Sequence, residues 1–121
     1  MGRPPLRVLI VEDDHDSARM LRLLLKRSGY KTRVEHDGPA ALVAAGEFRP
    51  EVVLLDQTLV GMVGVEVAAR LRADPEREGC KIVAVSGHGK DTLPSPSPFD
   101  GHFRKPIDHD ALLDYLSKIP I

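Results

Sequence analysis

Apolar residues along the 121-residue chain fall into two alternating rhythms. Short unbroken runs, Leu6 to Val11, Val52 to Leu55, Ile82 to Val85 and a weaker one around Phe103, have the length of single strands. Between them the apolar positions recur three and four apart, the spacing of one helix face. A continuous Val/Ile/Leu run has no polar face, so such a strand must be covered on both sides, as in a parallel sheet held between two helical layers. Tyr30 to His36 behaves differently, because Tyr30, Thr32 and Val34 alternate with Lys31, Arg33 and Glu35. One face of that strand is wetter, which puts it near a sheet edge.

Boundary residues agree with this pattern. The first helix follows Asp14, where Asp14, Asp16 and Ser17 offer oxygens to the unpaired amides, and it runs through Ala18, Leu21, Leu24 and Leu25 to Gly29, a left-handed stop. Asp37-Gly38-Pro39 opens the second helix with proline where its missing N–H costs nothing, and the stretch Gly46 to Pro50 closes it. The third spans Val65 to Ala73 and ends at Asp74-Pro75; the last, Asp108 to Lys118, carries Leu112, Tyr115, Leu116 and Ile119 on one stripe. The order β-α-β-α-β-α-β-loop-β-α, with right-handed crossovers, describes one doubly wound α/β domain over residues 1–121 behind a short tail, residues 1–5. A fourth helix belongs before the last strand. Three prolines in Pro94-Ser95-Pro96-Ser97-Pro98 forbid an ordinary one, so residues 91–98 are expected to be irregular and that helix shortened or disordered.

Composition narrows the function. Seventeen Lys and Arg against eighteen Asp and Glu leave no global positive field, which argues against direct nucleic-acid binding. No apolar stretch is long enough for a signal peptide or membrane insertion, and a single cysteine, Cys80, forms no internal disulfide, so the expected setting is cytoplasmic. The five histidines never fall at helical metal-ligand spacing, which removes a zinc site.

Ligands of an open parallel sheet bind beyond the carboxyl ends of its strands. Here the first strand ends in Glu12-Asp13-Asp14, the third in Asp56, the fourth in Ser86 and the fifth in Lys105-Pro106. Carboxylates gathered at one edge repel each other, a close pair by roughly 4 kcal/mol at an effective dielectric of about 20, so the group asks for a cation. Hard, all-oxygen ligation suits Mg²⁺, with Glu12 and Asp13 holding it and Asp56 serving as both ligand and nucleophile toward phosphorus. Ser86 supplies a hydroxyl and Lys105 a mobile point charge to the transferred group. The proline after Lys105 raises the chance of a cis bond.

Over nearly its full length the chain resembles the receiver domain of two-component response regulators. The residues that carry the likeness are Leu9-Ile10-Val11-Glu12-Asp13-Asp14, Val53-Leu54-Leu55-Asp56, Gly61-Met62-Val63-Gly64, Val83-Ala84-Val85-Ser86-Gly87 and Lys105-Pro106. Ser86-Gly87-His88-Gly89 and His102 to Asp108 are similar to receivers attached to hybrid histidine kinases. The resemblance implies a flavodoxin-like strand order 2-1-3-4-5, and matches Asp56 to the phospho-acceptor, Glu12 and Asp13 to the metal acids, and Thr58 to the residue whose backbone carbonyl reaches Mg²⁺. It matches Ser86 and Lys105 to the phosphoryl partners. It implies a phosphoryl donor that is a histidine kinase or histidine phosphotransfer protein, docking near Asp14, His15 and Ser17, and an unknown downstream protein. Such a domain catalyses only its own phosphorylation and dephosphorylation.

The chain departs from the family pattern at Leu59-Val60, at Val63, in the Pro-Ser segment, and at His102, which stands where many members carry an aromatic residue. Those prolines motivate an alternative, a degenerate receiver that binds protein irrespective of phosphate. Two enzyme readings fare worse. Glu-Asp-Asp-His-Asp at the first turn would repel a dinucleotide's pyrophosphate, and Thr58 stands where an aspartyl-phosphate phosphatase needs a second acid.

Overall fold

The computed structural model describes residues 6–57, 64–87 and 98–119. Five strands, β1 (Arg7–Val11), β2 (Lys31–Glu35), β3 (Val52–Asp56), β4 (Lys81–Ser86) and β5 (Gly101–Arg104), form one sheet in the order β2-β1-β3-β4-β5, and every pair in it is parallel. Four α-helices lie among the described residues: α1 (His15–Arg27), α2 (Gly38–Phe48), α3 (Gly64–Ala73) and α4 (His109–Ser117). Most of the segment expected to be irregular, along with the tail at residues 1–5, falls outside the described residues.

Alternation along the central strands sorts the core into two layers. Leu9, Val11, Val53, Leu55 and Ile82 pack with Ala41, Ala44 and Ala45 of α2 and Val67, Ala68 and Leu71 of α3. Val8, Ile10, Val52, Leu54, Val83 and Val85 pack on the other face with Leu25 of α1 and Leu112 and Leu116 of α4. Both faces of β1, β3 and β4 are therefore buried, which is why their sequences show no polar alternation. β2 lies at the edge, as its wetter pattern implies, and Thr32 to Glu35 are half-buried: Val34 packs against the layer of α1 and α4, while Arg33 bridges Glu35 and Glu47 on the other face.

Three helices start on an aspartate cap. Asp14 accepts from the Ser17 amide at 2.8 Å, Asp37 from Ala40 at 2.8 Å and Asp108 from Ala111 at 3.1 Å, each bond worth about 1 kcal/mol. Gly29 takes the left-handed conformation expected of it, with φ +93°. The end of α2 follows another route: Gly46 stays inside the helix, and Arg49 is the left-handed residue, with φ +53°. Tertiary bonds hold it there, since the Arg49 amide donates to Ala45 and its carbonyl accepts from Arg7 Nε at 2.8 Å. After Asp74 a short 3-10 turn, Pro75–Arg77, sends Arg77 inward, where Nη1 donates to the Ala45 carbonyl at 2.6 Å.

Candidate functional site

Parallel pairing brings the carboxyl ends of β1, β3 and β4 side by side, with Val11 opposite Leu55 and Asp56 opposite Val85. The residues that end these strands therefore share one edge. Carboxylate oxygens of Glu12, Asp13 and Asp56 lie within 4.8 Å of one another. Asp56 is 2% exposed and Glu12 6%, so two of the three charges have lost most of their water.

Lys105 arrives from the end of β5 across a cis bond to Pro106. Its ammonium sits 2.7 Å from Glu12 Oε1 and 3.3 Å from Asp56 Oδ2. The other oxygen of Glu12, Oε2, accepts from the Asp14 amide at 3.1 Å. Burial first, then a shared hydrogen bond with Asp56, pushes the Glu12 carboxyl up to about 7, against the pull of Lys105 and the Asp14 amide. Burial lowers the Lys105 ammonium, but its bonds to Glu12 and Asp56 outweigh that and hold it above its ordinary value. Acid and base both keep their protons more tightly, which is the signature of a cluster with more negative than positive charge.

This donor set fits a small divalent cation. Three hard oxygens converge, and a fourth direction is already taken by a cationic nitrogen that a second positive ion would relieve of neutralising Glu12. Ser86 closes β4 with a buried hydroxyl, and its Oγ lies 2.9 Å from His102 Nε2. Thr58, expected to offer a carbonyl to the metal, lies outside the described residues, as does His88. Gly64 opens α3 directly under the pocket: a Cβ there would meet Gln57 Nε2 at 2.7 Å and the Asp56 carbonyl oxygen at 2.8 Å. Only a residue without a side chain lets α3 start this close to the tip of β3.

The family model described as the response regulator receiver domain matches residues 8–117. The chain belongs to that family. Sporulation initiation phosphotransferase F of Bacillus subtilis is 30% identical to this receiver over 115 residues, covering 93% of this chain and 91% of that protein. The DNA-binding response regulator MtrA of Mycobacterium tuberculosis is 48% identical over 80 residues, 66% of this chain. That match covers 34% of MtrA, so this receiver corresponds to about a third of the longer relative. In structure it is similar to a CheY-like receiver domain from Methylobacillus flagellatus, with TM-score 0.88 and 32% identity over 96% of this chain and 99% of that one. A sensor protein from Polaromonas sp. JS666 gives TM-score 0.87 and 29% identity, with 96% of each chain covered.

Beside the acidic pocket a groove of about 530 Å³ runs between α1 and the turn after β5, lined by Glu12, Ser17, Met20, Lys105, Ile107 and His109 among others. Met20 is 62% exposed. Helical spacing hid this, because Met20 reads as one more apolar position beside Leu21 and Leu24. Two other contacts of the pocket's surroundings had no sequence signal: the rings of His15 and His36 stack at 3.7 Å, and His36 Nδ1 meets the Glu12 carbonyl at 2.9 Å. None of the helices among the described residues is long and apolar enough to cross a membrane.

Proposed function

We propose that this receiver is a phospho-accepting switch, taking a phosphoryl group from a histidine kinase or histidine phosphotransfer protein onto Asp56. The observation that supports it is the convergence of the Glu12, Asp13 and Asp56 oxygens with Lys105 Nζ at one strand edge. Asp56 Oδ would attack phosphorus as the donor's P–N bond breaks, and the freed imidazole would carry a proton away. A Mg²⁺ ion held by Glu12, Asp13, Asp56 and the Thr58 carbonyl would neutralise charge on the group in flight. Lys105 is already close enough to Asp56 to reach one phosphoryl oxygen, and Ser86 supplies a hydroxyl to another.

Two added negative charges, roughly, would then compete with Glu12 for Lys105 and draw Ser86 toward the pocket, shifting a two-state equilibrium that a partner reads. The groove along Met20 and Ile107, open beside Lys105, suits the donor, because a phosphohistidine seated there would approach Asp56 past Ser17 and Asp16. Exposed Met20 and Leu23 give such a partner apolar area to cover.

Incubation with Mg²⁺ and acetyl phosphate, followed by intact mass, tests the reading. One phosphoryl adduct is expected on the wild type and none on Asp56→Ala. An unmodified wild type, under conditions where another receiver reacts, would remove it.

A further inference from the structure

The turn that carries the metal acids is tied to the end of β2 by a side chain. Val11 and Glu35 are the last paired residues of β1 and β2, and one bond further the Glu12 amide donates to the Glu35 carbonyl at 3.0 Å. Beyond that point His36 takes over, with Nδ1 lying 2.9 Å from the Glu12 carbonyl oxygen. A carbonyl only accepts, so Nδ1 carries the hydrogen, in the neutral ring and in the imidazolium alike. The bond therefore holds whatever the ring's charge. Both backbone polar groups of Glu12, itself buried, are thus bonded to residues at the end of β2.

That carbonyl belongs to the peptide plane joining Glu12 to Asp13. A peptide unit is rigid, so holding its oxygen orients the plane, and with it the directions in which the two side chains leave the backbone. The His36 ring is held in turn. It stacks on His15, the first residue of α1, with centroids 3.7 Å apart and planes 8° from parallel. The stack closes the turn from the helix side, where the Asp14 amide donates to Glu12 Oε2 and the Asp14 carboxylate caps Ser17. Glu12 and Asp13 are framed between two contacts of one imidazole.

We propose that His36 is a positioning residue for the metal acids, holding the peptide between Glu12 and Asp13 so that the carboxylates of Glu12, Asp13 and Asp56 converge before a cation enters. The proposal rests on reading those three as the metal site. Carboxylates whose oxygens lie within 4.8 Å repel each other, and the repulsion pushes the turn open. Lys105 offsets part of it at Glu12 and Asp56. Asp13, half-buried, has the most room to swing away, and the orientation of its backbone keeps it in place. Without the His36 bond a cation has to draw the turn closed as it binds, and that ordering is subtracted from its affinity. With the bond, the fold has already done it. Side chains that hold metal ligands from behind in this way are typically worth about 10- to 100-fold in affinity.

Binding of Mn²⁺ alone, read from the electron spin resonance of the free aqua ion, tests this on wild type, His36→Phe and His36→Asn. Phenylalanine keeps a ring to stack on His15 but has no donor. The asparagine amide nitrogen stands as many bonds from the backbone as Nδ1 does, and keeps the donor. His36→Phe should bind Mn²⁺ about tenfold more weakly than wild type, while His36→Asn should stay within about threefold of it. Wild-type affinity in His36→Phe, or an equal loss in both variants, overturns the proposal while the metal site stands. Cooperative urea unfolding without metal shows which variants fold; if His36→Phe does not, His36→Leu removes the donor in its place. A wild type that binds Mn²⁺ no better than Asp13→Ala overturns the proposal together with the reading of the site.

Discussion

Two charged clusters sit at opposite ends of the same sheet region, and they are built on different principles. Around Arg72 everything is matched: its guanidinium bonds Asp100, the Cys80 carbonyl at 2.8 Å and the Pro98 carbonyl at 3.1 Å, while Asp100 also accepts from the Ile82 amide at 2.8 Å. One cation meets one anion, and Nε and Nη1 of the guanidinium meet backbone oxygens. Around Lys105 one ammonium serves Glu12 and Asp56, with Asp13 close by, so charge is left over. The first cluster fastens the chain before β5 to α3 and β4. The second has chemistry in reserve, because an unbalanced buried cluster gains free energy by taking up a cation.

Substitutions should separate the two. Asp56→Asn is expected to abolish the acetyl phosphate adduct outright, read by mass, while Arg72→Met leaves its extent and rate unchanged. Gly64→Ala forces a Cβ into the Asp56 carbonyl and the Gln57 side chain, and should cost about 1–3 kcal/mol in urea unfolding and slow phosphorylation as well, since the strand tip that shifts carries the acceptor. Lys105→Met without metal should lower stability by roughly 1–3 kcal/mol, a figure kept below that of a fully buried pair because the lysine is partly exposed. Mg²⁺ should restore more of that loss than it adds to the wild type. Arg72→Met should cost about 1–2 kcal/mol that Mg²⁺ does not recover.

A smaller effect sharpens the contrast through pH. Glu12 holds its proton up to about 7 in the folded metal-free chain, against 4.5 for an exposed glutamate. Its folded-state value is raised, so its contribution to stability is complete below about 4.5 and is lost as pH rises through about 7. Metal competes with that proton. The rise in melting temperature on adding Mg²⁺ should therefore grow by a few degrees from the acid to the alkaline side of this window. Glu12→Gln should flatten that trend.

Much of this architecture was legible in the sequence because its causes are local. Unbroken runs such as Val52 to Leu55 announce strands buried on both faces, aspartates at 14, 37 and 108 announce helix starts, and acids ending successive parallel strands must share an edge. What escaped depends on partners distant in sequence. Arg49 takes a left-handed conformation through its bonds to Ala45 and Arg7, not through any preference of arginine. Asp100 reads as a loop residue until Arg72 is beside it. His102 could be marked as an unusual residue at its position, but its bond to Ser86 needs the register that sets Ala84 opposite His102 and Ser86 opposite Arg104.

Manganese offers the most direct test of the central claim, since it replaces magnesium at oxygen sites and broadens nearby nuclear resonances. Titrated at substoichiometric amounts, it should erase the amide signals of Glu12, Asp13, Asp56 and Gln57 first, and Asp56→Asn should weaken that effect. Loss of signal that begins instead at exposed acids such as Asp110 and Asp114, with Glu12 and Asp56 untouched, would contradict the account.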